Sequence, residues 1–181
     1  MQVVVCGGGV IGASIAHFLA ERGAKVVVVE RTGVACAASG KSGGFLAYDW
    51  CDGSPLQALA RRSFALHGEL AARLGGDDWG YRRLDTFAGG VPAHTGPRRG
   101  GRVQGADWLS ESVALHRRLG STESTAQVDP GAFTRAMLRA AEAKGARLHR
   151  GEVSGLRLER RHDGARVTGV EVDGEALACD A

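Results

Sequence analysis

Three glycines at fixed spacing constrain this 181-residue chain more than any other feature. Gly7, Gly9 and Gly12 spell G-x-G-x-x-G, directly after an apolar run and at the start of a helical pattern. Glu30 follows about 20 residues on, at the end of a second apolar run, where a ribose-binding acid belongs. Each residue type has a physical task. Gly7 allows a sharp turn, Gly9 lets a pyrophosphate approach bare backbone, and Gly12 lets the helix lie close on the strand. The helix start then offers unpaired N–H groups and a positive dipole end, beginning at Val10 and Ile11. Residues 3–31 therefore read as strand, glycine turn, helix, strand.

Glycine is abundant here, 28 of 181 residues, so the spacing alone is a weak signal. Its surroundings strengthen it. Ala16 stands four residues after Gly12, where a small residue keeps the helix near the sheet. Ile11, Ile15, Phe18 and the stem of Arg22 recur at helical spacing, with Leu19 beside them. Gly23 is placed to end the helix. Residues 26–29 are all valine, as a parallel strand covered on both faces requires. The competing account is a βαβ unit whose glycines serve packing only.

The next segment, residues 32–44, is TGVACAASGKSGG, small and nearly free of bulky side chains. Such a loop can wrap closely round a flat ligand. Its A-C-A-A-S-G-K-S stretch also fits a relaxed phosphate-loop pattern. That pattern needs a helix at once after the Lys and Ser, and Gly43 with Gly44 makes a poor first turn. A nucleotide triphosphatase is disfavoured on that ground.

Further along, Ser54 and Pro55 resemble a helix start, and leucines with Phe64 support a helix over residues 55–74, stopped by Gly75 and Gly76. Residues 81–88 alternate like a strand, 89–105 read as an exposed loop, and 107–120 suggest a short helix. Residues 121–129 are a polar lead-in to a helix with Asp129 as N-cap and Pro130 at N1. Phe133, Met137, Leu138 and Ala141 form its apolar face. Residues 146–149 read as a strand returning to the parallel sheet as its third member. A three-stranded meander follows over 151–180, turning at Asp163-Gly164 and Asp173-Gly174.

Hydrophobic content of 44% suits a globular chain, and no apolar run approaches the roughly 18 residues of a membrane span. The formal charge of +3 is mild. Arginines cluster at 98, 99 and 102 and at 157, 160 and 161 without interleaved aromatics, which fits solvated segments better than a nucleic-acid surface. Cys6, Cys36, Cys51 and Cys179 have no metal-ligand spacing, and free thiols in a reducing, cytoplasmic compartment are expected. Cys6 is expected in the core.

These motifs, in this order, resemble the N-terminal part of FAD-dependent oxidoreductases of the D-amino-acid oxidase, glycine oxidase and sarcosine oxidase superfamily. The segments that carry the resemblance are VVVCGGGVIGASIAHFLAERGAKVVVVER, SGKSGGFLA, QVDPGAFTRAMLRAAEAKGARL and GEVSGL. The run GVACAASGKSGGFLAYDWCDGSPLQALARRSFALH is similar to a little-characterised eukaryotic branch of that superfamily. The resemblance implies an α/β chain: a Rossmann-like FAD-binding parallel sheet, a β-meander, and part of a second, mostly β, substrate layer. It places the FAD-binding βαβ unit and flavin loop at residues 1–54, part of a substrate or cap region at 55–128, and the return to the FAD-binding domain at 129–181. It implies FAD, with Gly7, Gly9 and Gly12 at the pyrophosphate, Glu30 at the adenosine ribose and Arg31 beside the adenine. Ser39, Gly40, Lys41, Gly43 and Gly44 would follow the pyrophosphate and flavin, and the Val153 backbone would touch adenine. Lys41 would set a cation near the flavin. The implied reaction is hydride transfer from a C–N bond of an amino acid or amine to flavin. No catalytic residue is named by these motifs. The chain resembles the front portion of a longer protein, so the remaining half is an expected partner, with an exposed apolar edge where it docks. Two alternatives stay open: an NAD-binding Rossmann protein, and a non-catalytic interaction or trafficking module that keeps the fold.

Overall fold

A computed structural model describes residues 1–91, 109–110, 113–162 and 164–181. The elements in chain order are β1 (Gln2–Cys6), α1 (Val10–Glu21), β2 (Lys25–Glu30), β3 (Phe45–Ala47), α2 (Gln57–Leu74), β4 (Arg82–Arg83), β5 (Thr86–Gly90), β6 (Ala114–Gly120), β7 (Thr125–Gln127), α3 (Pro130–Glu142), β8 (Arg147–Arg150), β9 (Val153–Arg161), β10 (Gly164–Val172) and β11 (Glu175–Ala178). Short 3₁₀ turns occupy Ala38–Gly40 and Gly76–Trp79. They fall into two compact units, residues 1–44, 74–80 and 129–181 in one and 45–73 and 81–128 in the other.

In the first unit, β1, β2 and β8 form a parallel sheet in the spatial order β1-β2-β8, with Val3 opposite Val26 and Val28 opposite Leu148. The strand at 146–149 does join as the third member. Its order is the half-sheet of a dinucleotide-binding fold. Valine suits β2 because both faces are covered. Val27 and Val29 pack with Val170 and Val172 of the meander. Val26 and Val28 point the other way and are almost fully buried. The meander is antiparallel, order β11-β10-β9. Its second turn places Asp173 (φ 51°) and Gly174 (φ 86°) in the left-handed region, as a two-residue Asp-Gly hairpin demands. Asp163 of the first turn lies outside the described residues. Beyond β11, the Asp180 amide donates to the Gln2 carbonyl and the Val4 amide to the Ala181 carbonyl, so the tail follows the outer edge of β1.

α1 corrects one expectation. Its buried face is Gly12, Ala13, Ala16, His17 and Ala20, whereas Ile11 is 74% exposed and Ile15 43%. The helix is packed closely against β2 and α3, and small residues alone permit that approach. The bulky residues at the other helical period are displaced outward. α3 follows the sequence: the Asp129 side chain accepts from the Ala132 amide at 2.7 Å, Pro130 opens the helix, and Phe133, Met137, Leu138 and Ala141 are buried. Trp79 is buried edge-on against Phe133, 5.8 Å between ring centres.

The second unit departs further from the sequence reading. α2 runs Gln57–Leu74, close to the expected helix. Residues 81–88 are not one strand: β4 pairs with β7, and β5 pairs with β6 in a separate hairpin. Where a short helix was expected over 107–120, β6 is a strand, held antiparallel to β5 with Phe87 opposite Arg118. Pairing with β5 outweighs the local helical pattern, as usual for short strands. The polar stretch 121–129 contains β7, which pairs with both β3 and β4 and buries Thr125 and Ala126. The Thr125 hydroxyl donates to the Leu84 carbonyl at 2.7 Å, which is why a polar residue can be buried there. The expected loop at 89–105 begins inside β5, and residues 92–105, with Arg98, Arg99 and Arg102, lie outside the described residues. Arg157 and Arg160 are exposed on β9. Among the described residues, no helix is long and apolar enough to cross a membrane.

Candidate functional site

The C-terminal ends of β1 and β2 open into a cleft of about 450 Å³ in the first unit. That is where ligands sit in open parallel sheets. Its walls come from the glycine turn after β1, the end of β2, the loop over 32–39 and the turn between β8 and β9.

The turn is held in several ways. Gly7 takes φ +110°, which L side chains rarely adopt, and its amide donates to the Val29 carbonyl at 2.8 Å. A Cβ built on Gly12 would lie 2.0 Å from the Gly7 carbonyl oxygen, so helix and turn touch backbone to backbone. The Ala35 amide donates to the Gly8 carbonyl, drawing the following loop onto the turn. Gly9 stands at the N-cap of α1 and has no side chain to cap it. Ser39, 29 residues beyond Val10, does so instead: its hydroxyl accepts from the Val10 amide at 2.9 Å. The amides of Ile11 and Gly12 find no acceptor among the described residues, as expected for the first turn of a helix. Donors without acceptors at a helix start, beside bare glycine backbone, suit an anionic phosphate.

Glu30 does more than the ribose role implies. Its carboxylate accepts from the Gly8 amide at 2.7 Å through Oε2, and from the amides of Thr32 at 2.8 Å and Gly33 at 3.1 Å through Oε1. These donors, Gly8 first, hold its pKa below the ordinary value of 4.5, with a smaller contribution from Arg31 and against the effect of burial. A carboxylate has about four acceptor positions, so Oε2 retains one for a hydroxyl of a ligand. Arg31 reaches across to Glu152, Nη1 to Oε1 at 3.0 Å, with both side chains mostly exposed.

Six of the sequence-predicted residues line the cleft: Gly7, Gly9, Glu30, Arg31, Ser39 and Val153. Val10 and Gly12 stand behind it as helix start and close contact. Ile11 brings its amide to the turn while its side chain faces solvent. Gly40, Lys41, Gly43 and Gly44 do not line it. Gly40 is needed for packing, since a Cβ there would lie 2.0 Å from the Ala35 carbonyl oxygen. Lys41 is exposed at the end of the 3₁₀ turn, and no helix follows it, which removes the phosphate-loop alternative. Sequence reasoning missed Cys36, Gly151 and Glu152, and misplaced Cys6. Cys6 is exposed at the open end of β1 rather than in the core. Glu152 had a signal, lying beside Val153 in the segment after β8, and Cys36 had one in its place within the 32–44 loop read as wrapping a flat ligand. Among the described residues, no group of three or more His, Cys, Asp or Glu is placed to hold a metal ion.

Comparison with known proteins bears on the family and the fold. Residues 2–181 match the family model of the DAO FAD-dependent oxidoreductases. A candidate oxidoreductase of Schizosaccharomyces pombe is 34% identical over 145 residues, covering 75% of this chain and 37% of that protein. An uncharacterized oxidoreductase of Bacillus subtilis, YurR, is 26% identical over 206 residues, covering 98% of this chain and 52% of that one. Glycine oxidase from Bacillus cereus superposes with a TM-score of 0.77 at 29% identity, over 98% of this chain and 54% of that chain. The chain thus spans about half the length, or less, of these relatives. It belongs to the DAO family of FAD-dependent oxidoreductases.

Proposed function

We propose that this chain is the cofactor-binding half of an FAD-dependent oxidoreductase that oxidises a C–N bond of an amino acid or amine. The observation that carries the reading is the cleft at the C-terminal ends of the parallel strands, with a bare glycine turn, unpaired helix-start amides and an ionised Glu30. FAD, when bound, supplies the hydride acceptor. The chain's residues bind and orient it. The amides of Ile11 and Gly12 take the pyrophosphate, Glu30 Oε2 a ribose hydroxyl, and Arg31 with Val153 the adenine end. The Ser39 hydroxyl, now on the Val10 amide, joins the pyrophosphate contacts. Gly40, Lys41, Gly43 and Gly44 continue along the flavin, and Lys41 brings a cation towards it. Residues 55–128 are assigned to the substrate region. The likeness to glycine oxidase supports a small amino acid or amine as substrate. The family match over residues 2–181 favours flavin over the nicotinamide alternative. A reducing, cytoplasmic location accords with four free cysteines.

The test is spectroscopic. The chain is mixed with FAD, freed of unbound ligand, and its visible spectrum recorded. A retained, perturbed flavin band is expected; a folded but colourless protein overturns the reading. Turnover with amino acids, with and without the remaining polypeptide of the longer protein, separates an enzyme from a non-catalytic module. Lys41→Met is expected to slow reoxidation of reduced flavin in stopped-flow measurements, and an unchanged rate removes that role.

A further inference from the structure

The far half of the meander is more exposed than a packed sheet requires. β9 runs nine residues, Val153–Arg161, and stands at one end of the order β11-β10-β9, so among the described residues no strand pairs with its outer side. Residues 156–160 are all exposed, with Leu156 at 60% and Leu158 at 57%. Alternation along a strand puts both leucines on one face. They stand opposite Val170 and Val167 of β10. Val170 is buried among valines of the core, which does not extend to the leucines. The other face carries Arg157 and Glu159. Arg166 stands opposite Glu159, but Arg157 stands opposite Gly169, which offers it no side chain. A long open edge with an apolar face is a template for another strand.

The residue order of β9 selects that strand. We propose that β9 pairs antiparallel with β9 of a second copy of this chain, about a two-fold axis at Leu158, joining two three-stranded meanders into one sheet. This axis sets Leu158 opposite the partner's Leu158, Arg157 opposite the partner's Glu159, and Leu156 opposite the partner's Arg160. An ion pair then forms on each side of the axis, and the apolar stem of an arginine covers each Leu156. An axis at Arg157 or at Glu159 instead sets like charges face to face, which is destabilising. The charges therefore choose the register, and the leucines supply its apolar contact. The contact is isologous, uses up both edges and closes at two copies. It goes beyond the proposed function, since of β9 only Val153 lines the cleft.

The test is sedimentation velocity of the full chain over rising concentration, with far-UV circular dichroism to show that each variant is folded. One strand pair is a small interface, so a reversible monomer–dimer equilibrium is expected. Arg157→Glu sets carboxylates face to face and Glu159→Arg sets guanidiniums face to face. Each should weaken the dimer about tenfold or more. Mixed in equal amounts, these two variants regain both ion pairs and should associate, although neither does so alone. Leu158→Cys should form a disulfide across the axis, identified by peptide mass, and Leu156→Cys should not. A chain that stays monomeric up to its solubility limit overturns the inference. So does a dimer that both charge reversals leave unchanged, or a pair of variants that fails to associate on mixing. Loss of the dimer when the remaining polypeptide of the longer protein is added, with residues 156–160 then protected from hydrogen exchange, gives the edge to that polypeptide and overturns the inference as well. Flavin retention is read separately from all of these outcomes, so the proposed function stands or falls on its own.

Discussion

Gly12 and Gly9 carry the same motif but differ in what surrounds them. A Cβ on Gly12 would lie 2.0 Å from a backbone oxygen, which cannot move without displacing the turn. Gly12→Ala is therefore expected to cost on the order of 1–3 kcal/mol in urea unfolding, the usual range for overpacking, and to abolish FAD retention. A Cβ on Gly9 would meet only the Ser39 hydroxyl, at 3.1 Å. Gly9→Ala should lower the urea midpoint less than Gly12→Ala does, through the Ser39 hydroxyl it presses on, and weaken FAD binding in dialysis. Equal destabilisation by both would show that the motif serves packing alone. Glu30 has a pH signature. Its folded pKa is lowered, chiefly by the Gly8 amide, so its contribution is present above the ordinary value of 4.5 and lost as pH falls through the folded value. The stability gap between the native chain and Glu30→Gln should be full near neutral pH and narrow below about pH 4.5. A gap independent of pH would contradict the three amide bonds.

At the scale of elements, the helices depend on different things. α1 has no side-chain cap of its own and borrows the Ser39 hydroxyl from the loop after β2. α3 is self-sufficient at its start, through Asp129 and Pro130. Asp129→Ala should therefore lower stability by about 1 kcal/mol in urea unfolding, the usual loss for an N-cap, with no effect on FAD affinity. A loss of binding would mean that α3 shapes the cleft as well as covering the sheet. The same contrast explains what could be read from sequence. Asp-Pro before an apolar 3.6-residue pattern is local information, and α3 was legible residue by residue. The inward face of α1 was not. Ile11 and Ile15 look like core, and only the closeness of α1 to α3 and β2 makes Ala13 and Ala16 the buried residues. β6 and β7 were missed for a related reason: each is short, and each is a strand because a distant partner pairs with it.

For the molecule as a whole, the proposed cofactor site draws on residues 6–12, 29–39 and 151–153, all in the first unit. Binding there should stabilise that unit by mass action, about 2.7 kcal/mol with FAD at 100 times its Kd. Hydrogen exchange should show the added protection in those three segments. Protection centred on residues 45–73 would place the ligand elsewhere.

The parallel βαβ unit, the glycine turn, Glu30, the third strand and the meander can all be read from local residue order. Those features are written in local spacing: glycines where backbone must come close, valines where both faces are covered, Asp-Gly where the chain must reverse. Tertiary structure alone decided the rest. It gave Glu30 three backbone amides from two separate segments and Ser39 the cap of a helix 29 residues away. It turned Cys6 outward and brought Cys36 into the same cleft. These depend on which loop folds over which turn, and long-range closure of that kind leaves no period in the sequence to read.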